Sequence, residues 1–125
     1  MNESAQTLYQ RLGGYDAIVA VVENLLPRLT TDSQLGRFWE HRGDDGVQRE
    51  KQLLIDYLCH KAGGPMYYTG RDMKVSHRGM RISGTDWERF IGHVGDTLDA
   101  FEVAAAERSD VLAFIESTRD DIVEA

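Results

Sequence analysis

The segment Met73-Lys74-Val75-Ser76-His77-Arg78-Gly79 is the most informative part of the chain, because it presents one histidine on what its pattern predicts to be a short helix. It follows the loop Gly63-Gly64-Pro65-Met66-Tyr67-Tyr68-Thr69-Gly70, whose first three residues are a strong helix breaker. Upstream, Gln48 and Gln52 lie one helical turn apart. The pattern suits an iron that is held from one side by an imidazole and faced from the other by amides.

The length and the single cysteine limit the architecture. A chain of 125 residues is most simply one domain, residues 1–125, with about residues 1–7 as an N-terminal lead-in. Cys59 is the only cysteine, which excludes an internal disulfide and a cysteine-rich zinc site. The lone thiol fits a reducing compartment.

Charge and hydropathy exclude several classes of partner. The formal net charge is −7 and the lysines and arginines form no block, so we expect no nucleic acid partner. The N-terminus has neither a basic start nor an apolar run, and no stretch approaches the ~20 apolar residues of a membrane span. We therefore expect a cytoplasmic protein with no membrane partner.

Apolar residues recur at helical spacing, and strand-like alternation is nearly absent, which predicts an all-α fold. Asp16 is the expected cap of the first long helix, and Pro27 is expected to bend it. A short turn that starts near Thr31 would carry Leu35, and residues 41–46 are expected to form a polar loop. The predicted long helices span residues 16–30, 47–61, 85–101 and 108–123.

The predicted helix 47–61 carries two amides on an apolar stripe. Gln48, Gln52, Ile55 and Cys59 share this stripe at 100° per residue. Because a buried amide without partners costs ~1–3 kcal/mol, the glutamines must either bond to neighbouring helices or point into a cavity that holds a polar ligand. Periodicity leaves both alternatives open.

A single histidine on a short helix is more often a structural residue than a metal ligand. None of the four histidines forms a zinc spacing such as HExxH, so a site built from several histidines is unsupported. An iron that needs one protein imidazole and takes four equatorial ligands from a porphyrin remains compatible with His77.

Several motifs, in their order and spacing along almost the whole chain, resemble those of the truncated haemoglobins, and most closely their first group. This resemblance implies a two-over-two helical sandwich around haem b, iron protoporphyrin IX. The motifs are Leu8-Tyr9-Gln10-Arg11-Leu12-Gly13-Gly14, Leu35-Gly36-Arg37-Phe38-Trp39, Lys51-Gln52, Gly63-Gly64-Pro65, Tyr68-Thr69-Gly70, Met73-Lys74 and His77.

The resemblance also implies residue roles. His77 would be the proximal iron ligand, Phe38 and Trp39 would pack on the porphyrin, and Lys74 and Tyr68 would meet the propionates. Leu26, Gln48 and Gln52 would line the distal pocket, where the amides can donate hydrogen bonds to a bound gas. The remaining implied haem contacts are Lys51, Ile55, Met73, Ile82 and Phe90.

Two positions on the distal side raise separate questions. Many first-group members carry a Phe-Tyr pair where this chain has Leu25-Leu26, so the tyrosine hydroxyl is missing and the glutamines must supply any polar stabilisation. Lys51 lies where some relatives place a side chain that itself binds iron. It would either reach a propionate or solvent, or ligate the sixth iron position as a neutral amine.

Three functions follow from these observations. The first is binding, transport or storage of oxygen, with nitric oxide and carbon monoxide as related ligands. The second is nitric oxide dioxygenase activity, which needs an external reductase because the chain contains no flavin or nicotinamide motif. The third is a haem-free helical interaction module, against which the retained His77 motif argues.

Overall fold

The computed structural model describes residues 6–40, 43–65 and 73–124, apart from the side chains of Asp44, Val75 and Ser76. The predicted site residue Tyr68 lies outside the described residues. The regular elements are α1 (Leu8–Leu12), α2 (Tyr15–Thr30), the 3₁₀-helix η1 (Leu35–Trp39), α3 (Asp44–Lys61), α4 (Met73–His77), α5 (Gly84–Ala100), α6 (Ala105–Glu116) and α7 (Arg119–Ile122).

Two helix starts are fixed by reciprocal capping boxes. At α1, Thr7 Oγ1 accepts from the Gln10 backbone N–H and the Gln10 side chain accepts from the Thr7 N–H. At α5, Ser83 and Asp86 make the same exchange. Each box satisfies two backbone donors that a helix start otherwise leaves without intrahelical partners.

Two predicted helix starts were wrong. Helix α2 begins at Tyr15 after Gly14, so Asp16 lies in its first turn instead of capping it, where its charge favours the helix dipole. Helix α3 begins at Asp44, so the described part of the predicted polar loop, residues 43–46, is helical from Asp44 onward.

The predicted helix 108–123 is two helices, α6 and α7, with a break at residues 117–118. At the break, Ser117 Oγ donates to the Phe114 carbonyl, and Thr118 Oγ1 donates to the Ile115 carbonyl at 2.6 Å. Hydroxyl groups that bond to nearby carbonyls compete with the helical pattern. The two hydroxyl residues therefore favour an end to α6 at this point.

Helix α2 is the central element. It packs against α3 on one side and against α5 on another, and α5 packs in turn against α6. Pro27 lies inside α2, as predicted. Among the described residues, no helix is long and apolar enough to cross a membrane.

The apolar core consists of two clusters on either side of α2. The smaller cluster lies between α2 and α3 and contains Ile18, Val22, Ile55 and Cys59. The larger cluster joins α2, η1 and the α5, α6 and α7 helices. Its buried members are Leu25, Leu29, Leu35, Trp87, Val94, Leu98, Val111, Ile115 and Ile122.

Candidate functional site

His77 is the last residue of α4 and is partly buried. Its Nδ1 lies 2.8 Å from the Met73 carbonyl oxygen, one turn earlier in the same helix. A carbonyl only accepts, so Nδ1 carries the proton and donates, and Nε2 then holds the lone pair of the neutral ring. This is the tautomer that a metal-ligating histidine uses, with the second ring nitrogen oriented by a backbone carbonyl.

Five of the predicted apolar haem contacts, and the predicted distal-pocket residue Leu26, share one kind of environment. All six are partly buried and pack against the larger core cluster, although they come from α2, η1, α4, α5 and the segment before α5. Each of these side chains keeps part of its apolar surface outside the core, and an apolar planar group can cover such surface. These residues are Leu26, Phe38, Trp39, Met73, Ile82 and Phe90.

The helix arrangement also fits an inserted group. Helices α3 and α5 both pack on α2, yet among the described residues they share no extensive packing contact with each other. The two predicted distal glutamines lie on α3, the predicted distal residue Leu26 lies on α2, and the predicted haem contact Phe90 lies on α5. The residues present, an imidazole of the correct tautomer and an apolar wall, therefore fit a haem.

The predicted distal residues on α3 fall into different environments. Gln48 is exposed and lines, with Trp39, a cleft of about 380 Å³ between η1 and the start of α3. Gln52 is also exposed, and its Nε2 donates to the Tyr15 hydroxyl at 3.3 Å and to Asp56 Oδ1 at 3.0 Å. Gln48 is thus brought next to a predicted haem contact, whereas Gln52 is held by neighbouring side chains.

Three further predicted haem contacts lie outside the cleft that Gln48 lines. Ile55 is 2% exposed and belongs to the smaller cluster, so it packs between α2 and α3. The Lys51 ammonium forms an ion pair with Glu23 on α2, with 3.1 Å between Nζ and Oε2. Lys74 is exposed on α4.

The sequence did not reveal a buried polar network that holds η1 against α5. Asp86 Oδ2 accepts from Arg37 at 2.7 Å, and the Arg37 guanidinium lies 4.3 Å from the centre of the Phe38 ring. Gln34 donates to Asp86 Oδ1 at 2.5 Å. The network therefore orients Phe38, one of the predicted haem contacts, through Arg37.

A second carboxylate, Asp32, holds the N-terminal end of η1. His93 Nε2 lies 2.6 Å from its Oδ2, and the backbone N–H groups of Leu35 and Gln34 donate to its Oδ1. The hydrogen bond from His93 holds the pKa of Asp32 well below its usual range, and these two backbone bonds and Arg89 act in the same direction.

Burial raises the pKa of Asp86, but its bonds from Arg37, Ser83 and Gln34 outweigh burial and leave that pKa low. The spacing of Ser83 and Asp86 is a capping-box signal in the sequence. The partners of Asp86 from η1 lie about fifty residues away, and no local pattern indicates them.

Comparison with known proteins matches residues 7–124 to the model of the bacterial-like globin family. The chain belongs to this family. It is similar to the group 1 truncated haemoglobin GlbN of Mycolicibacterium paratuberculosis, with 33% identity over 109 residues, 87% of this chain and 78% of that protein. A group 1 truncated haemoglobin of Tetrahymena pyriformis is 28% identical over 118 residues, 94% of this chain and 95% of that protein.

Solved globin structures show the same fold. The Fe(III) form of the truncated haemoglobin from Tetrahymena pyriformis superposes with a TM-score of 0.87 at 27% identity, covering 96% of this globin and all of that chain. THB1 of Chlamydomonas reinhardtii gives 0.80 at 27% identity, covering 96% and 98%. The predicted two-over-two all-α fold and the predicted family are therefore confirmed, and this globin is a haem-binding, gas-binding protein.

Proposed function

We propose that this globin, as one domain spanning residues 1–125, binds oxygen reversibly at the iron of haem b, with His77 as the proximal ligand. Nitric oxide and carbon monoxide are further ligands of the same site. The observation that carries the proposal is the 2.8 Å contact between His77 Nδ1 and the Met73 carbonyl, because it selects the ring tautomer that ligates a metal.

Bound haem would supply an iron that binds a small gas molecule. The chain's residues do the remainder. His77 Nε2 would hold the iron through its lone pair, and the partly buried aromatic and aliphatic side chains on the larger core cluster would exclude water from the haem. Phe38 and Trp39, whose rings meet edge to face with centroids 6.4 Å apart, form the part of this wall on η1.

On the distal side, the amides are the hydrogen-bond donors for a gas. Gln48 next to Trp39 is the better placed of the two, because the Gln52 amide already donates to Tyr15 and Asp56. Leu26 adds an apolar wall without a hydroxyl. We propose weaker retention of oxygen here than in a pocket with a tyrosine hydroxyl, because fewer donors reach the ligand.

The contact of Lys51 bears on the sixth iron position. A lysine ligates iron only as a neutral amine, whereas the ion pair with Glu23 uses the ammonium. The pair supports a lysine that stays off the iron. Ferric absorption spectra across pH test this, with Lys51→Met as the reference. A low-spin form at alkaline pH that Lys51→Met removes would contradict it.

Reversibility is the direct test of the proposed function. The haem-loaded protein is reduced without oxygen, exposed to oxygen and returned to argon, with absorption spectra at each stage. We expect the reduced spectrum to return in full. Oxidation within a single cycle would contradict reversible oxygen binding.

Rapid mixing distinguishes reversible oxygen binding from the alternative function, nitric oxide dioxygenation with an external reductase. The oxygenated protein is mixed with nitric oxide, with and without a flavin-dependent reductase and its reduced nicotinamide. We expect one fast oxidation per haem and no sustained consumption. Sustained consumption of nitric oxide with the reductase would assign the globin an enzymatic role instead.

A further inference from the structure

Helix α4, which carries His77, cannot hold its own orientation. It has five residues, and isolated helices shorter than about 12 residues are marginal in water. Its orientation must therefore come from neighbouring elements. Among the described elements, α7 is its one extensive packing partner.

Immediately after α7, Glu124 binds the loop that leads out of α4. Its Oε2 accepts from the Gly79 backbone N–H at 3.0 Å, and its Oε1 accepts from the Arg81 N–H at 2.8 Å. The backbone N–H of Glu124 itself donates to the Ile82 carbonyl at 2.9 Å. Three hydrogen bonds thus join Gly79, Arg81 and Ile82 of this loop to one residue.

The loop needs such an external partner. Gly79 and Arg81 both have positive φ, +84° and +57°, and the latter is a conformation that a residue with a side chain rarely adopts. The Met80 N–H between them donates to the His77 carbonyl at 3.2 Å, which joins the loop to the last residue of α4. A carboxylate that accepts two N–H groups in this way holds the turn in its strained form.

We propose that Glu124 is a positioning residue for the proximal histidine. By fixing Gly79 and Arg81, it sets the angle at which α4 presents His77 Nε2. The inference rests on the proposed role of His77 as the iron ligand. The hydrogen bonds from the backbone N–H groups of Gly79 and Arg81 also lower the pKa of Glu124.

The test compares Glu124→Ala and Glu124→Gln with Asp120→Ala in the haem-loaded protein. Asp120 is an exposed carboxylate on α7, so its removal is a matched control for the change in charge. Amide hydrogen exchange at Gly79 and Arg81 reports directly on the clamp, which is the pair of hydrogen bonds from these two residues to the Glu124 carboxylate. The vibration between ferrous iron and the histidine, observed by resonance Raman spectroscopy, reports the orientation of His77.

We expect Glu124→Ala to raise exchange at Gly79 and Arg81 by about tenfold or more, with α5 unchanged, because only the local opening becomes easier. The iron–histidine band should shift or broaden, and haem should dissociate several times faster. Glu124→Gln, which keeps one acceptor oxygen, should give an intermediate result. Asp120→Ala should match the parent protein.

Two results would overturn the proposal. One is unchanged exchange at Gly79 and Arg81 in Glu124→Ala, which would show that the clamp does not form. The other is faster exchange with an unchanged iron–histidine band, which would show that the clamp does not position His77. If the parent protein itself gave no iron–histidine band, the proposed ligand would be wrong, and the exchange data would still report on the clamp.

Discussion

Removal of the Asp86 carboxylate should destabilise the protein by far more than removal of an exposed carboxylate. Asp86 is only 1% exposed and accepts hydrogen bonds from Ser83 N, Arg37 and Gln34. Its loss in Asp86→Ala breaks one half of the capping box of α5 and removes the carboxylate that accepts from Arg37 and Gln34. It also releases η1 from α5.

The magnitude follows from these contacts. The capping interaction contributes about 1 kcal/mol. Each lost side-chain bond contributes about 0.5–1.5 kcal/mol, and the charge of Arg37 adds under about 1 kcal/mol because its side chain is 45% exposed. We expect Asp86→Ala to lower the free energy of unfolding by about 2–5 kcal/mol. Asp86→Asn should lower the free energy of unfolding by roughly half as much. Asparagine keeps one acceptor oxygen, but its NH2 group is a donor and would face the donors of the neighbouring side chains.

Urea unfolding followed by circular dichroism measures the change, at one fixed protein and haem concentration because bound haem adds to the apparent stability. Asp99→Ala is the control. Asp99 also pairs with an arginine, Arg108, but the Asp99 side chain is 63% exposed. Its replacement by alanine should therefore lower the free energy of unfolding by less than about 0.5 kcal/mol. Equal losses in Asp86→Ala and Asp99→Ala would refute the assignment of a buried anchor to Asp86.

Three further predictions concern pH, the thiol and the distal pocket. Both Asp32 and Asp86 have pKa values lowered from the ordinary 3.8, so their ionised forms stabilise the fold above about pH 4. This stabilisation should be lost as the pH falls below that value. A urea midpoint of unfolding that stays constant from pH 5 to pH 3 would contradict this. Cys59 is fully buried, and this burial, together with the nearby Asp56, raises the pKa of its thiol. A disulfide reagent should therefore react with Cys59 only after the protein unfolds. Rapid reaction of the native protein would show that the thiol is accessible. Gln48→Leu should accelerate oxygen dissociation roughly fivefold, which corresponds to the loss of one hydrogen bond of about 1 kcal/mol. Flash photolysis or stopped-flow mixing measures this rate. An unchanged rate would exclude Gln48 as a hydrogen-bond donor to the bound oxygen.

The sequence predicts the long helices well where burial determines them. The predicted span 85–101 differs by one residue at each end from α5, because Trp87, Val94 and Leu98 lie at helical spacing and are all buried. The local pattern also located the short elements, since a turn that starts near Thr31 and a brief helix that carries His77 were both expected and correspond to η1 and α4. Helix ends were harder, because they depend on a choice between competing local hydrogen bonds, as the hydroxyl of Thr118 at the end of α6 illustrates.

Long-range polar contacts could not be predicted. Asp32 and His93 lie 61 residues apart, and nothing in either local sequence indicates the other. The environment of Gln52 was equally inaccessible, because its position on the apolar stripe is compatible with a cavity as well as with neighbours. Its contacts with Tyr15 and Asp56 depend on how α2 and α3 are packed.

The role of His77 is tested most directly by replacement of its side chain with a diffusible ligand. The parent protein, His77→Gly and the control His60→Gly, an exposed histidine on α3, are loaded with haem, and the ferrous iron–imidazole vibration is recorded with and without added imidazole. We predict that the band is present in the parent and the control, absent in His77→Gly, and restored there by imidazole. A parent-like band in His77→Gly without imidazole would contradict the assignment of His77 as the iron ligand.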